Sequence, residues 1–479
     1  MDKLSFEVVS LILAELRGPD GKSKLAPYST ISRQWQAAVE RQTFASLTLK
    51  DPGPFQAVIS ASPFRLAALR HLCLVVGLPT DSESWANQHG TQWVVFSSIA
   101  SLLGQLDTLE KNTQDVSHCS AASLGPICLQ ITLQPREEPC EVSWHRTFLL
   151  ERYFKFLDED MEALPKLRCV SLLELSAIGH QTIHPFTSCQ LATHFSTLQS
   201  LKLEYLDPGS IRSPLRKIIR SSLADGINCL GQLSHLPELT IYRTGSKEPS
   251  NHSFKNPCLE VDDGTGVTID LLCESVRKLA ETSRLVKLKL WNELISPDLF
   301  RDRRQRPAIN DHEDQEEQKE WPSLQRLEIL ASMVAPSGRW YYTGNKDDIK
   351  PEIYDFGGDI LVHDWRRSPS PKVFDPLAMD LAAAVKRMPR LKTCEFCIEP
   401  EAFAGLIIIT LDCFEAGEPL EMAHASQVDT TVRRWTISES EHTNWKAPKE
   451  LIAICADWVG PGGKVEVWRE GNTLVSLIP

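Results

Sequence analysis

No stretch of the 479 residues approaches the roughly 18 consecutive apolar side chains that a helix needs to cross a bilayer, so a membrane-spanning segment is not expected. The apolar run Val8 to Ala14 is bracketed by Glu7 and Glu15. It has no basic lead-in beyond Lys3 and no small-residue cleavage site, which argues against a secretory signal. A basic surplus is missing as well. Lys and Arg number 51 against 63 Asp and Glu, a formal net charge of −12, and each local basic run sits beside acids. Phosphate neutralisation needs clustered cations, so neither nucleic acid nor an anionic membrane is an expected partner. The 13 cysteines are odd in number and scattered. That pattern suits free thiols in a reducing compartment, so the expected location is cytoplasmic or nuclear.

Catalytic and metal signatures are also lacking. There is no Gly-x-Ser-x-Gly elbow, EF-hand loop or dinucleotide fingerprint. "CEFC" (394–397) has no second Cys pair at zinc-finger spacing, and on a strand Cys394 faces in while Cys397 faces out. "GPGGKV" (460–465) lacks the spacing and hydroxyl of a phosphate loop, and "HEDQE" (312–316) lacks the second His of a metalloprotease helix. His363 in "VHDW" (362–365) reads as a surface or satisfied histidine. We expect no enzyme, no metal and no cofactor.

What is present begins at Leu4. Placed on a helical wheel, Leu4, Phe6, Val8, Val9, Leu11, Ile12, Leu13 and Leu16 cover an arc of roughly 220°, leaving Glu7, Ser10 and Ala14 opposite. A helix that buries one stripe in its own domain needs about 100° or a little more. Residues 17–24 read as a turn, and Leu25, Tyr28 and Ile31 as a short apolar stripe. Ser29 or Ser32 is placed to cap a following helix whose face is Ile31, Trp35, Ala38, Val39 and Gln42. Three short helices with a surplus apolar face dock either on the domain behind them or on another protein.

This stretch resembles the F-box, the helical module that binds the SKP-family adaptor of cullin–RING ubiquitin ligases. The family pattern runs Leu-Pro-x-Glu, then Ile-Leu-x-x-Leu, then Ser-x-x-x-x-x-Trp. The chain carries Leu4-Ser5-Phe6-Glu7, then Ile12-Leu13 and Leu16, then Ser29 to Trp35. Ser5 stands where the family carries Pro. The resemblance implies that Leu4, Phe6, Glu7, Ile12, Leu13, Leu16 and Trp35 face the adaptor or build the module's core.

Downstream, Leu-x-x-Leu-x-Leu and close variants recur eight times, starting at Leu69, Leu124, Leu167, Leu198, Leu236, Leu285, Leu324 and Leu391. Four are led by a proline, as in "LPKL", "LPEL", "WPSL" and "MPRL", which fits a turn before a strand. Helical spacing is seen at 92–109, 143–164, 213–230, 268–283 and 375–388. Helix, turn and short parallel strand make a leucine-rich-repeat-like unit. The starts lie 31 to 67 residues apart, against the usual 20–29 or so, hence the expectation of an irregular solenoid with insertions. The competing reading is an ordinary α/β domain with buried parallel strands.

Insertions are expected at 244–257, 301–320 and 336–376. The last carries many aromatics and "RRSPSP" (366–371). Near 406–417 and 430–438 we expect strands, at 447–460 a helix, and at 464–478 a hairpin. The α/β organisation is thus an F-box module over 1–50, a solenoid over 60–400 and an αβ cap over 401–479. Tyr242, Trp291, Trp340 and Tyr341 fall near strand ends or loops, where a binding surface or core packing would use them. The expected function is the substrate-recognition subunit of an SCF-type ubiquitin ligase, binding the adaptor, through it a cullin, and a protein target. The alternative is a non-catalytic scaffold whose N-terminal helices pack intramolecularly.

Overall fold

The structure, a computed structural model, describes residues 4–17, 25–78, 88–115, 125–135, 152–177, 181–233, 235–245, 255–304, 319–345, 366, 368–398, 409–418, 430–439, 445–469 and 472–476. The chain divides into two units, Met1–Glu204 and Tyr205–Pro479, and each is mixed α/β.

In the first unit helix α1 (Phe6–Arg17), a 3-10 turn (Ala26–Thr30) and helix α2 (Arg33–Thr43) precede the sheet. Strands β1 (Ser46–Leu49), β2 (His71–Leu78), β3 (Ile127–Pro135) and β5 (Val170–Ser176) follow one another in that order, residues 200–203 of β7 (Ser200–Asp207) pair next to β5, and every pairing is parallel; the last three residues of β7 belong to the second unit. Strands β4 (Arg152–Phe154) and β6 (Gln181–Ile183) form a separate parallel pair.

In the second unit β8 (Glu238–Gly245), β11 (Lys287–Glu293), β12 (Arg326–Ala331) and β15 (Thr393–Ile398) are parallel neighbours. Strands β16 (Ile409–Phe414) and β17 (Arg434–Glu439) then add antiparallel, β18 (Lys464–Arg469) pairs parallel to β17, and β19 (Asn472–Ser476) returns antiparallel. Two small antiparallel pairs lie apart: β9 (Val261–Asp262) with β10 (Thr268–Ile269), and β13 (Tyr342–Thr343) with β14 (Ser368–Pro369).

All eight Leu-x-x-Leu-x-Leu segments become strands, each beginning two or three residues after the leading Leu. Where it is described, that Leu is buried; Leu69, Leu167, Leu285 and Leu324 are fully buried, and Leu124 lies outside the described residues. The next two apolar positions point to the same inner face by the two-residue period of a strand, as with Leu72 and Leu74 or Leu327 and Ile329. Parallel neighbours need a crossover, and helices supply it. Gln88–Asp115 links β2 to β3, Leu271–Thr282 lies between β8 and β11, and Phe374–Lys386 lies between β12 and β15.

The helix expected at 213–230 runs Ser213–Leu230, and that expected at 447–460 runs Lys449–Val459, ended by Gly460 at φ 69°. One expectation fails. The helical pattern over 143–164 yields instead the strand β4 and a short helix, Asp158–Glu162, with 143–151 outside the described residues. Phe154 and Phe156 are buried there, and a row of aromatics packs at a period of two as readily as on a helix. Most of the three expected insertions (246–254, 305–318, 346–365) also lies outside the described residues, as does His363. Tyr341 and Tyr342, at the start of the third, are buried.

Candidate functional site

Ser5 starts α1. Its hydroxyl accepts from the Val8 amide at 3.4 Å, and its carbonyl accepts from Val9 at 3.1 Å. A serine therefore caps the helix where the F-box pattern carries proline. The Glu7 carboxyl lies below the usual carboxylate range, held there by its own backbone N–H and the Ser5 hydroxyl. Ser32 caps α2 by accepting from the Trp35 amide at 3.4 Å. Two glutamines then bind the helices by their backbones: Gln34 Nε2 donates to the Leu4 carbonyl at 2.7 Å and Gln42 Nε2 to the Ser10 carbonyl at 2.8 Å.

The interior of this module is Val9, Leu13, Leu25, Trp35, Ala38 and Val39, with Phe6, Ile12 and Tyr28 packed at its margin. Of the residues singled out from sequence, Leu13 (0% exposed) and Trp35 (6%) are thus interior, Phe6 and Ile12 are half-buried, and Glu7 is exposed. Leu4 and Leu16 remain open at 39% each. Three open residues were not singled out: Val8 at 40%, Leu11 at 68% and Ile31 at 42%. Val8 and Leu11 lie three residues apart on α1 and so share a side, and Leu4 stands just ahead of the helix. The wheel arc contained that signal; the motif comparison hid it.

The α2 helix of the module is fastened. Glu40 accepts from Ser62 Oγ at 2.8 Å and from Arg65 Nη2 at 3.0 Å, and the Arg65 guanidinium lies 4.6 Å from the Phe44 ring centroid. Burial works to raise the Glu40 carboxyl, yet these donors hold it below its ordinary range. The α2 side of the module is therefore committed to the helix Pro63–Ala68, while Leu4, Val8 and Leu11 stay exposed.

A second constellation lies in the other unit, at the carboxyl ends of its strands. Asp207 receives Arg216 at 2.8 Å and Arg243 at 2.5 Å. Arg220 grips Asp270 through two nitrogens at 2.8 and 2.7 Å and reaches Glu293 at 2.6 Å, where Tyr205 also donates at 2.7 Å. Burial pushes the Asp207 and Asp270 carboxyls upward, but the adjacent guanidinium groups more than compensate and hold both low. The cavity beside them measures about 10 Å³, the space of one water. Three guanidinium groups face three carboxylates, so the cluster is a neutral internal fastening. Sequence reasoning missed it.

Among the described residues no three His, Cys, Asp or Glu side chains gather as a metal site, and no helix is long and apolar enough to cross a membrane. No protein-family model matches the chain, and no curated protein matches its sequence.

Proposed function

We propose that the chain is a substrate-recognition subunit of an SCF-type ubiquitin ligase. Residues 4–44 act as an F-box and dock on an SKP-family adaptor, and through it on a cullin. The region 60–400 serves as an irregular leucine-rich-repeat-like solenoid that holds a protein target, and 401–479 seals its end. The work is done by proximity: a tethered target lysine sees a charged ubiquitin carrier at raised effective concentration. No catalytic residue is asked of this chain.

The observation that carries the reading is the exposure of Leu4, just ahead of α1, and of Val8 and Leu11 on it, on a module whose interior is already closed by Val9, Leu13 and Trp35. Exposed apolar side chains grouped at one helix mark a docking face. A scaffold packed only within itself draws support from the Glu40–Arg65–Ser62 clamp, but that clamp engages α2 and leaves Val8 and Leu11 of α1 exposed. Co-expression with an SKP-family adaptor and capture on the adaptor tests the proposal. Wild type should be retained with its cullin and Leu11→Asp lost. Failure to retain wild type, or equal retention of both, rejects it.

A further inference from the structure

Glu40 ties α2 to the short helices that follow it, and a serine holds one of its two oxygens. Ser62 Oγ donates to Glu40 Oε2 at 2.8 Å. Arg65 donates to Oε1 through Nε at 3.2 Å and Nη2 at 3.0 Å, and its Nη1 is spent on the Val58 carbonyl at 3.1 Å. Gln36, on α2 itself, adds a longer bond at 3.4 Å. Glu40 is only 6% exposed, so a charge held there depends on those donors.

The sequence around the serine reads Ser62-Pro63-Phe64-Arg65. Ser-Pro with a cation three residues on is the pattern that proline-directed serine kinases accept. Pro offers no N–H, so an apolar pocket suits it, and the cation pairs with an acidic site on the enzyme. Four other Ser-Pro pairs occur in the chain, at Ser213, Ser296, Ser368 and Ser370. The last three have Leu299, Pro371 and Val373 where a cation is wanted. Ser213 has Arg216, but that guanidinium is 3% exposed and closed on Asp207. At Ser62 the Arg65 side chain is 26% exposed. Ser62 itself is half-buried, and Ser60 and Ala61 leading into it are exposed. The flanking helices, Phe55–Ser60 and Pro63–Ala68, have six residues each. Helices of that length do not hold without tertiary packing, so only a local opening is needed to extend the segment for an enzyme.

We propose that Ser62 is a phosphorylation site and that its phosphate releases α2 from the helix Pro63–Ala68. The γ-phosphoryl group of ATP passes to Ser62 Oγ, its bond to the β-phosphate oxygen breaks, ADP leaves, and the hydroxyl proton goes to the base of the kinase. Glu40 Oε2 then loses its donor and faces a group carrying about −1.5 to −2 charges at pH 7. Arg65 now holds a single oxygen of Glu40, and the phosphate offers it a bidentate partner instead. Ser62 and Arg65 are also the groups that hold the Glu40 carboxyl low against its burial. A phosphatase reverses the step with water and returns the hydroxyl. Neither the modification nor the release involves the exposed side chains of α1, so both stand apart from the function proposed above.

The test treats the purified full chain with a cyclin-dependent kinase and ATP, then reads peptides by mass spectrometry and amides by hydrogen exchange. Phosphate should be found at Ser62. Amides of α2 should exchange about tenfold faster or more in the phosphorylated chain, while those of β2 and β3 keep their rates. Ser62→Ala removes the donor without adding charge, and should raise the same exchange less than the phosphate does. In Glu40→Gln, with folding checked by its melting curve, phosphorylation should add no further rise. No phosphate at Ser62, unchanged exchange in α2, a rise in Ser62→Ala as large as the phosphate's, or an equal rise in Glu40→Gln would overturn the proposal.

Discussion

Gln42 donates from Nε2 to the carbonyl of Ser10 at 2.8 Å, a bond from the last turn of α2 into the middle of α1. With Gln34 on Leu4, just ahead of α1, it holds this segment by its backbone rather than by its outward side chains. The outer stripe is therefore free to serve a partner.

That arrangement separates two leucines of one helix. Leu11→Asp should change unfolding free energy by no more than about 0.5 kcal/mol, as for an exposed position. Leu13→Ala, which empties a fully buried site, should cost about 2–5 kcal/mol. Chemical denaturation of the two variants reads the difference; equal costs would contradict the assignment of inside and outside.

The buried ionic cluster should respond steeply to loss of one partner. Arg220→Met strands Asp270 and Glu293 without their cation, a change worth about 3–5 kcal/mol. Lys111→Ala breaks an exposed pair with Asp107 and should cost about 0.5 kcal/mol or less. A comparable loss in both, measured by urea unfolding, would show that Arg220 is no keystone.

Asp412 predicts a pH dependence of unusual sign. Burial lifts its carboxyl to about 8, the Thr410 hydroxyl opposes this only in part, and Glu395, directly opposite on β15, adds to the lift. Below about pH 4 the folded and unfolded chains both carry the proton, and stability is undiminished. Between about 4 and 8 the unfolded chain releases the proton and the folded chain keeps it, so stability falls as pH rises through this window. Asp412→Asn removes the titration. Its melting temperature should exceed that of wild type by a margin that widens from pH 5 to pH 8 and then levels; a constant margin would contradict the buried-acid account.

Gly245 ends β8 at φ 122°, and a Cβ there would meet the Asp207 carbonyl at 2.3 Å. Gly245→Ala should therefore cost about 1–3 kcal/mol from backbone strain alone, and more from the displaced Asp207. Thermal melts of this variant beside Gly264→Ala, where no neighbour stands within 4 Å, isolate the contact. Similar losses at both glycines would assign the effect to backbone conformation only.

Eight of the strands were legible because one rule generates them: a leading Leu before the strand, then alternate apolar residues on the inner face. The docking stripe was half legible. The apolar arc on α1 exceeded what one core can use, but which leucines faced out depended on where Trp35 and Val39 packed. The ionic cluster was not legible. Its members are separated by up to 88 residues, as with Tyr205 and Glu293, and no local period links an arginine to its carboxylate. A bulge in β11 at Asn292 was equally silent, since it trades a regular strand for the inward turn of Glu293.

The central claim is that α1 offers its outer stripe to an adaptor chain. Its most direct test is calorimetric titration of the purified chain with an SKP-family adaptor, for wild type and for Val8→Asp and Leu11→Asp variants of unchanged melting temperature. The account predicts saturable one-to-one binding by wild type and at least a hundredfold weakening in either variant. No heat of binding with wild type, or undiminished affinity in both variants, would contradict it.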